Sequence, residues 1–68
     1  MEFNLEGQTY VELNRLLKFL SWAESGGEAH QMIDQGVIKV NGEVEHRRRK
    51  KLYSGDLVHL GKDECKIL

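Results

Sequence analysis

The chain contains no proline, one cysteine, and few aromatic residues: one tryptophan, two tyrosines and two phenylalanines among 68 residues. With no proline, no internal repeat and no low-complexity tract, no linker is evident. Two domains would leave each half too short to bury a core without metals or disulfides, so residues 1–68 are expected to form one domain. The lone Cys65 cannot form an intramolecular disulfide, which agrees with a reducing compartment. The longest apolar stretches are two or three residues, far below the ~20 that cross a bilayer. The amino-terminal "MEFNLEGQTY" has no basic region leading into an apolar run, so no signal peptide is expected and a cytoplasmic location follows.

Chemical motifs are scarce as well. There is no P-loop and no dinucleotide fingerprint. Cys65 and His59 have no accompanying oxyanion or anchoring motif, and three histidines with one cysteine show no metal-ligand spacing. Glu43 and Glu45 read as solvated hairpin residues. At this size only ~60% of the unfolded surface is buried, which disfavours a large cleft. The expectation is a non-enzyme with no cofactor, no metal and no small-molecule substrate.

A composition of 40% hydrophobic and 31% charged residues fits a folded domain. Ten Lys and Arg nearly balance eleven Asp and Glu, for a net charge of −1. The balance hides a segregation, because half the cations lie in the uninterrupted run Arg47, Arg48, Arg49, Lys50 and Lys51. Since potentials decay over a Debye length of ~8 Å, such a run can attract a polyanion despite the slightly acidic total.

Periodicity gives an order of strand, helix, helix, then three or four antiparallel strands. "EFNL" alternates up to Gly7 as a short strand. In "TYVELNRLLKFL", Leu13, Leu16, Leu17 and Leu20 line one helical face, and Thr9 with Glu12 has capping-box spacing that sets the expected start. Arg15 and Lys18 fall on the far side. "SGGEAHQMIDQG" has Ser25 as cap, Glu28 three residues later, Ala29, Met32 and Ile33 as apolar set, and Gly36 as terminator. Beyond it the period becomes two: Ile38, Val40 and Val44 are expected inward, and Lys39, Glu43 and Glu45 outward, around the Asn41–Gly42 hairpin pair. A turn at Ser54–Gly55, a strand from Leu57 to Leu60 and a last strand from Cys65 to Leu68 complete the chain. The class is α+β: two short helices packed on a small antiparallel sheet of three to five strands.

Leu13, Leu16 and Leu17, then "EAHQMI", "GVIKVNG" and "SGDLVHL" resemble the RNA-binding module of small-subunit ribosomal protein S4. The likeness covers about two-thirds of the chain, from Leu13 to Leu60. Length, the amino-terminal strand and "ESGGEA" look like the freestanding bacterial YbcJ-type subgroup. The resemblance implies RNA, structured or ribosomal, held along the helix pair and the adjoining sheet edge. Apart from the resemblance, no membrane partner is expected, and the state expected is monomeric. The chain departs from the family pattern at Glu12 and Asn14, where an arginine and an aspartate are usual, and at Gly26 and His30, where arginines are usual. The block 47–51 is read as replacing those cations.

Arginine forks bond phosphate oxygens bidentately and stack on unpaired bases, whereas lysine acts as a point charge. The expected RNA-binding residues are therefore Arg47, Arg48, Arg49, Lys50 and Lys51, with Arg15, Lys18, His30 and Lys39 adding contacts. If the block is extended, Arg47, Arg49 and Lys51 face one side and Arg48 and Lys50 the other, as an accessible ridge free of acidic partners. Trp22 reads as helix-junction packing, Tyr53 as either a surface ring or a base-stacking residue, and His30 as either a surface residue or an RNA contact. The aromatics lack the paired spacing of a stacking platform. A protein-interaction adaptor or a β-grasp-type carrier also combines "VNG" with "GD", but the ending "CKIL" lacks the diglycine tail of a carrier.

Overall fold

A computed structural model describes residues 1–68. The elements are β1 (Glu2–Phe3), β2 (Val11–Glu12), α1 (Leu13–Phe19), α2 (Gly26–Asp34), β3 (Ile38–Val40), β4 (Glu43–Val44), β5 (Lys51–Leu52), β6 (Leu57–Leu60) and β7 (Asp63–Ile67). One sheet has the order β1-β7-β6-β3-β4, and β2 pairs with β5 in a second, two-stranded sheet. The main sheet is antiparallel except for β1, which adds parallel to β7. The α+β architecture read from the periodicities is therefore present, with a mixed sheet.

The helices lie on one sheet face. Leu13, Leu16 and Leu17 from α1 and Ala29 and Ile33 from α2 are buried with Ile38, Val40, Val58, Cys65 and Ile67 of the sheet and Leu52 of β5. Trp22 packs partly buried against this core, the junction role expected of it.

α2 begins as its sequence predicts. Ser25 is the N-cap, and its hydroxyl accepts the Glu28 N–H at 3.1 Å. The Glu28 carboxylate reaches one residue further than a capping box, to the Glu24 N–H. At the other end Gly36 has φ +78, and the N–H groups of Gly36 and Val37 return to the carbonyls of Ile33 and Met32. That double bond is a Schellman closure, which needs a left-handed residue after the cap. A Cβ at Gly36 would also meet the His46 ring at 3.4 Å.

α1 corrects the expected start at Thr9. Val11 and Glu12 are drawn into antiparallel pairing with Leu52 and Lys51, so the helix opens at Leu13, with Glu12 as an N-cap whose side chain makes no capping bond. Tertiary pairing has overridden the local signal.

The Asn41–Gly42 hairpin is as expected, with both residues at positive φ (53 and 87). Its facing residues need a correction. A two-residue turn sets Val40 opposite Glu43 and Lys39 opposite Val44, and cross-strand partners share a face. Val44 is consequently on the solvent side, 45% exposed, while Glu45 comes onto the side of Ile38, whose carbonyl accepts its N–H.

The two caps separate experimentally. Ser25→Ala is expected to lower stability by about 1 kcal/mol, and Thr9→Ala to change it by less than about 0.5 kcal/mol, in urea unfolding. Equal losses would contradict the late start of α1.

Candidate nucleic-acid interface

The basic block is a turn, not an extended segment. The Lys50 N–H donates to the Arg47 carbonyl at 3.2 Å, and the Arg47 N–H donates to the Glu45 carboxylate at 3.0 Å. The remaining carbonyls have another use. Leu13 N–H donates to Lys50 O at 2.8 Å and Asn14 N–H to Arg48 O at 3.0 Å, so the basic turn satisfies the first two donors of α1 with its own backbone. A two-residue alternation of the cations therefore does not occur, because these bonds curl the segment onto the helix start.

The three guanidinium groups are accessible but not free of acids. Arg47 makes a two-point pair with Glu45, at 2.9 and 3.0 Å. Arg48 makes another with Asp34 at the end of α2. Arg49 donates through Nε to Glu12 at 3.1 Å. Their side chains are nevertheless 70%, 51% and 76% exposed. The Arg47 fork holds the Glu45 carboxyl down to about 2, and the Arg48 fork lowers that of Asp34. Both guanidiniums are raised in turn. Lys50, Lys51, Arg15 and Lys18 have no carboxylate within ion-pair distance.

Two adjoining depressions join these cations. One open groove of about 1030 Å³ runs along α1 and includes Arg15, Lys18 and Arg49 together with Phe3, Tyr10 and Phe19. The next is lined by Arg47, Arg49, Lys50, Lys51 and Tyr53. Arg49 belongs to both, so the helix cations and the turn cations form one strip.

The other expected residues lie elsewhere. Lys39 stands in register with His59 and Glu64 across β3, β6 and β7, between the buried Ile38 and Val40. It therefore faces away from the helices. His30 is half-buried between the helices, its Nε2 3.2 Å from the Asn14 amide, outside both depressions. His59 bonds Glu64 at 3.1 Å, and Cys65 points into the core, where burial pushes its thiol up. Those two side chains are on opposite faces and cannot act as nucleophile and base. Asn41 bridges to Asp56 and to the Leu57 N–H, as a turn-maker.

Spacing along the chain did not reveal the aromatic residues of this surface. Tyr10 and Tyr53 flank the β2–β5 pair and come together at 6.0 Å between centroids. Lys51 Nζ lies 4.9 Å from the Tyr10 ring. Phe19 meets Phe3 edge-on at 4.9 Å. The signal was available only through register: once Val11 opposes Leu52, the adjacent tyrosines must oppose each other.

Comparison with known proteins gives a consistent picture. Residues 3–68 match the model of the S4 domain. YbcJ of Escherichia coli is 45% identical over 56 residues, which cover 82% of this chain and 80% of that protein. RlbA of Bacillus subtilis, named a probable ribosome maturation protein, is 36% identical over 50 residues, covering 74% of this chain and 70% of its own. The solution structure of E. coli YbcJ, described as revealing an αL motif involved in RNA binding, superposes with a TM-score of 0.74 at 37% identity, covering 98% of this chain and 85% of that one.

The pairing of Glu45 has a pH signature. An ordinary glutamate titrates near 4.5 and this one at about 2, so the folded state holds the proton more weakly than the unfolded state. The contribution is fully present above about pH 4.5 and is lost as pH falls toward 2. Asp34 acts in the same direction. Glu45→Gln should flatten the fall of urea midpoints across that window; an unchanged acid limb would count against the pair.

Proposed function

The chain belongs to the S4 domain family, and on that premise we propose that it is a non-catalytic RNA-binding module that holds the phosphate backbone of structured or ribosomal RNA. The observation that carries this reading is the strip in which Arg15 and Lys18 of α1 meet Lys50 of the turn and Lys51 of β5 through Arg49. Phosphates along a strand are regularly spaced anions, and a line of exposed cations on a fixed scaffold is what neutralises them. The name of RlbA and the RNA-binding motif described for YbcJ point to the same class of partner.

The paired arginines take part without being free. Ion pairs exposed on both sides are worth about 0–1 kcal/mol. The Arg48–Asp34 pair is of that kind, 51% and 47% exposed, so there a phosphate can exchange with the carboxylate at small cost. The Glu45 and Glu12 side chains are only 13% and 20% exposed, so Arg47 and Arg49 keep those partners and offer a phosphate their remaining N–H groups. Meanwhile the carboxylates keep the forks in place. Arg47, Arg48, Arg49, Lys50, Lys51, Arg15 and Lys18 outnumber Glu12, Asp34 and Glu45, and the local surface stays positive although the chain carries −1. The strip has room for only a few phosphates, so the interaction is modest in strength and recognises shape and backbone more than base sequence.

Single-stranded regions release ~0.7 counterions per phosphate, so log K against log salt should fall with a slope of roughly −2 to −3.5. In filter binding to a ribosomal RNA fragment, Arg15→Gln combined with Lys51→Gln should reduce that slope by about 1.4. Lys39→Gln, on the opposite sheet face, should leave it unchanged. An equal effect from Lys39 would move the interface to the sheet.

A further inference from the structure

Phe19 is 73% exposed, the most exposed large apolar side chain of the molecule. It stands at the last residue of α1, one helical turn beyond Arg15 and beside Lys18. Its packing on Phe3 is edge-on, with the rings 88° apart, which leaves most of the Phe19 ring uncovered. Tyr10 lines the same groove. The sole carboxylate there, Glu12, is engaged by Arg49, so the cations Arg15 and Lys18 are uncompensated. Exposed aromatic rings interleaved with unpaired cations match a nucleotide, which presents a flat apolar base and an anionic linkage a few ångströms away. An acidic protein segment would use the cations but not the rings.

We propose that this groove takes one unpaired base of the RNA, stacked on Phe19 and bordered by Tyr10, while Arg15 and Lys18 hold the flanking phosphates. The inference rests on the RNA-binding reading and narrows its substrate class to RNA with an extruded base, such as a bulge, loop or junction. Bases inside a continuous duplex are stacked on their neighbours and lie in a major groove too narrow for side chains, so a paired helix reaches the cations but not the rings.

The test uses the full chain and two RNA hairpins that differ in whether one 2-aminopurine nucleotide is bulged or paired. The bulged hairpin should bind roughly 5- to 150-fold more tightly, the range of one base–aromatic stack, with quenching of the 2-aminopurine emission. Phe19→Ala should erase the preference and the quench while leaving affinity for the paired hairpin; Phe19→Tyr should retain both. Because the side chain is exposed, an unchanged thermal midpoint serves as the folding control. Equal affinity of the wild-type chain for the two hairpins, or a preference that survives Phe19→Ala, would overturn the inference and leave the ring for a protein contact. Failure to bind either hairpin would instead overturn the RNA-binding reading itself.

Discussion

Two main-chain hydrogen bonds organise the basic end of this molecule: those from the first N–H groups of α1 to the carbonyls of Lys50 and Arg48. A helix start leaves its first donors without intrahelical partners, and a buried donor without any partner costs about 1–3 kcal/mol. Here the side chain at the cap offers nothing, and Asn14 serves only the next N–H, that of Arg15. The carbonyls that complete the helix belong to the residues that carry the cations. The basic turn cannot leave α1 without uncapping it, so the placement of the charge and the integrity of the helix are one property.

The acidic partners extend that constraint. Glu12 comes from β2, Asp34 from the end of α2, and Glu45 from the segment after β4. Each fixes one arginine to a different part of the fold, which removes freedom from side chains that are otherwise costly to immobilise. Carboxylates that seem to cancel the basic run thus act as brackets for it. Substituting them would yield a surface with more net charge but with less defined positions for the forks.

Features governed by neighbours in sequence were readable from the residues: the leucine stripe of α1, the Ser25 cap, the Gly36 terminator, and the positive φ of Asn41 and Gly42. Features governed by distant partners were not. The Thr9 box lost to pairing with β5, Val44 turned outward because the hairpin register sets it opposite Lys39, and the basic run curled because α1 needed acceptors. The candidate site divides the same way. Its cations were visible as composition, whereas the tyrosine pair and the groove along α1 arise only when β2 meets β5 and β1 meets β7. Lys39 was picked out by charge alone, and a central strand turned it to the other face.

The parallel ladder between β1 and β7 joins Phe3 to Ile67, across nearly the whole length of the chain. Contacts so far apart in sequence carry the largest loop-closure cost of the fold. Phe3 is also the residue against which Phe19 rests, so one wall of the groove depends on the strand pairing of longest sequence separation. That wall therefore needs β7 in place, whereas the positive charge of residues 47–51 is present in the chain before β7 follows it.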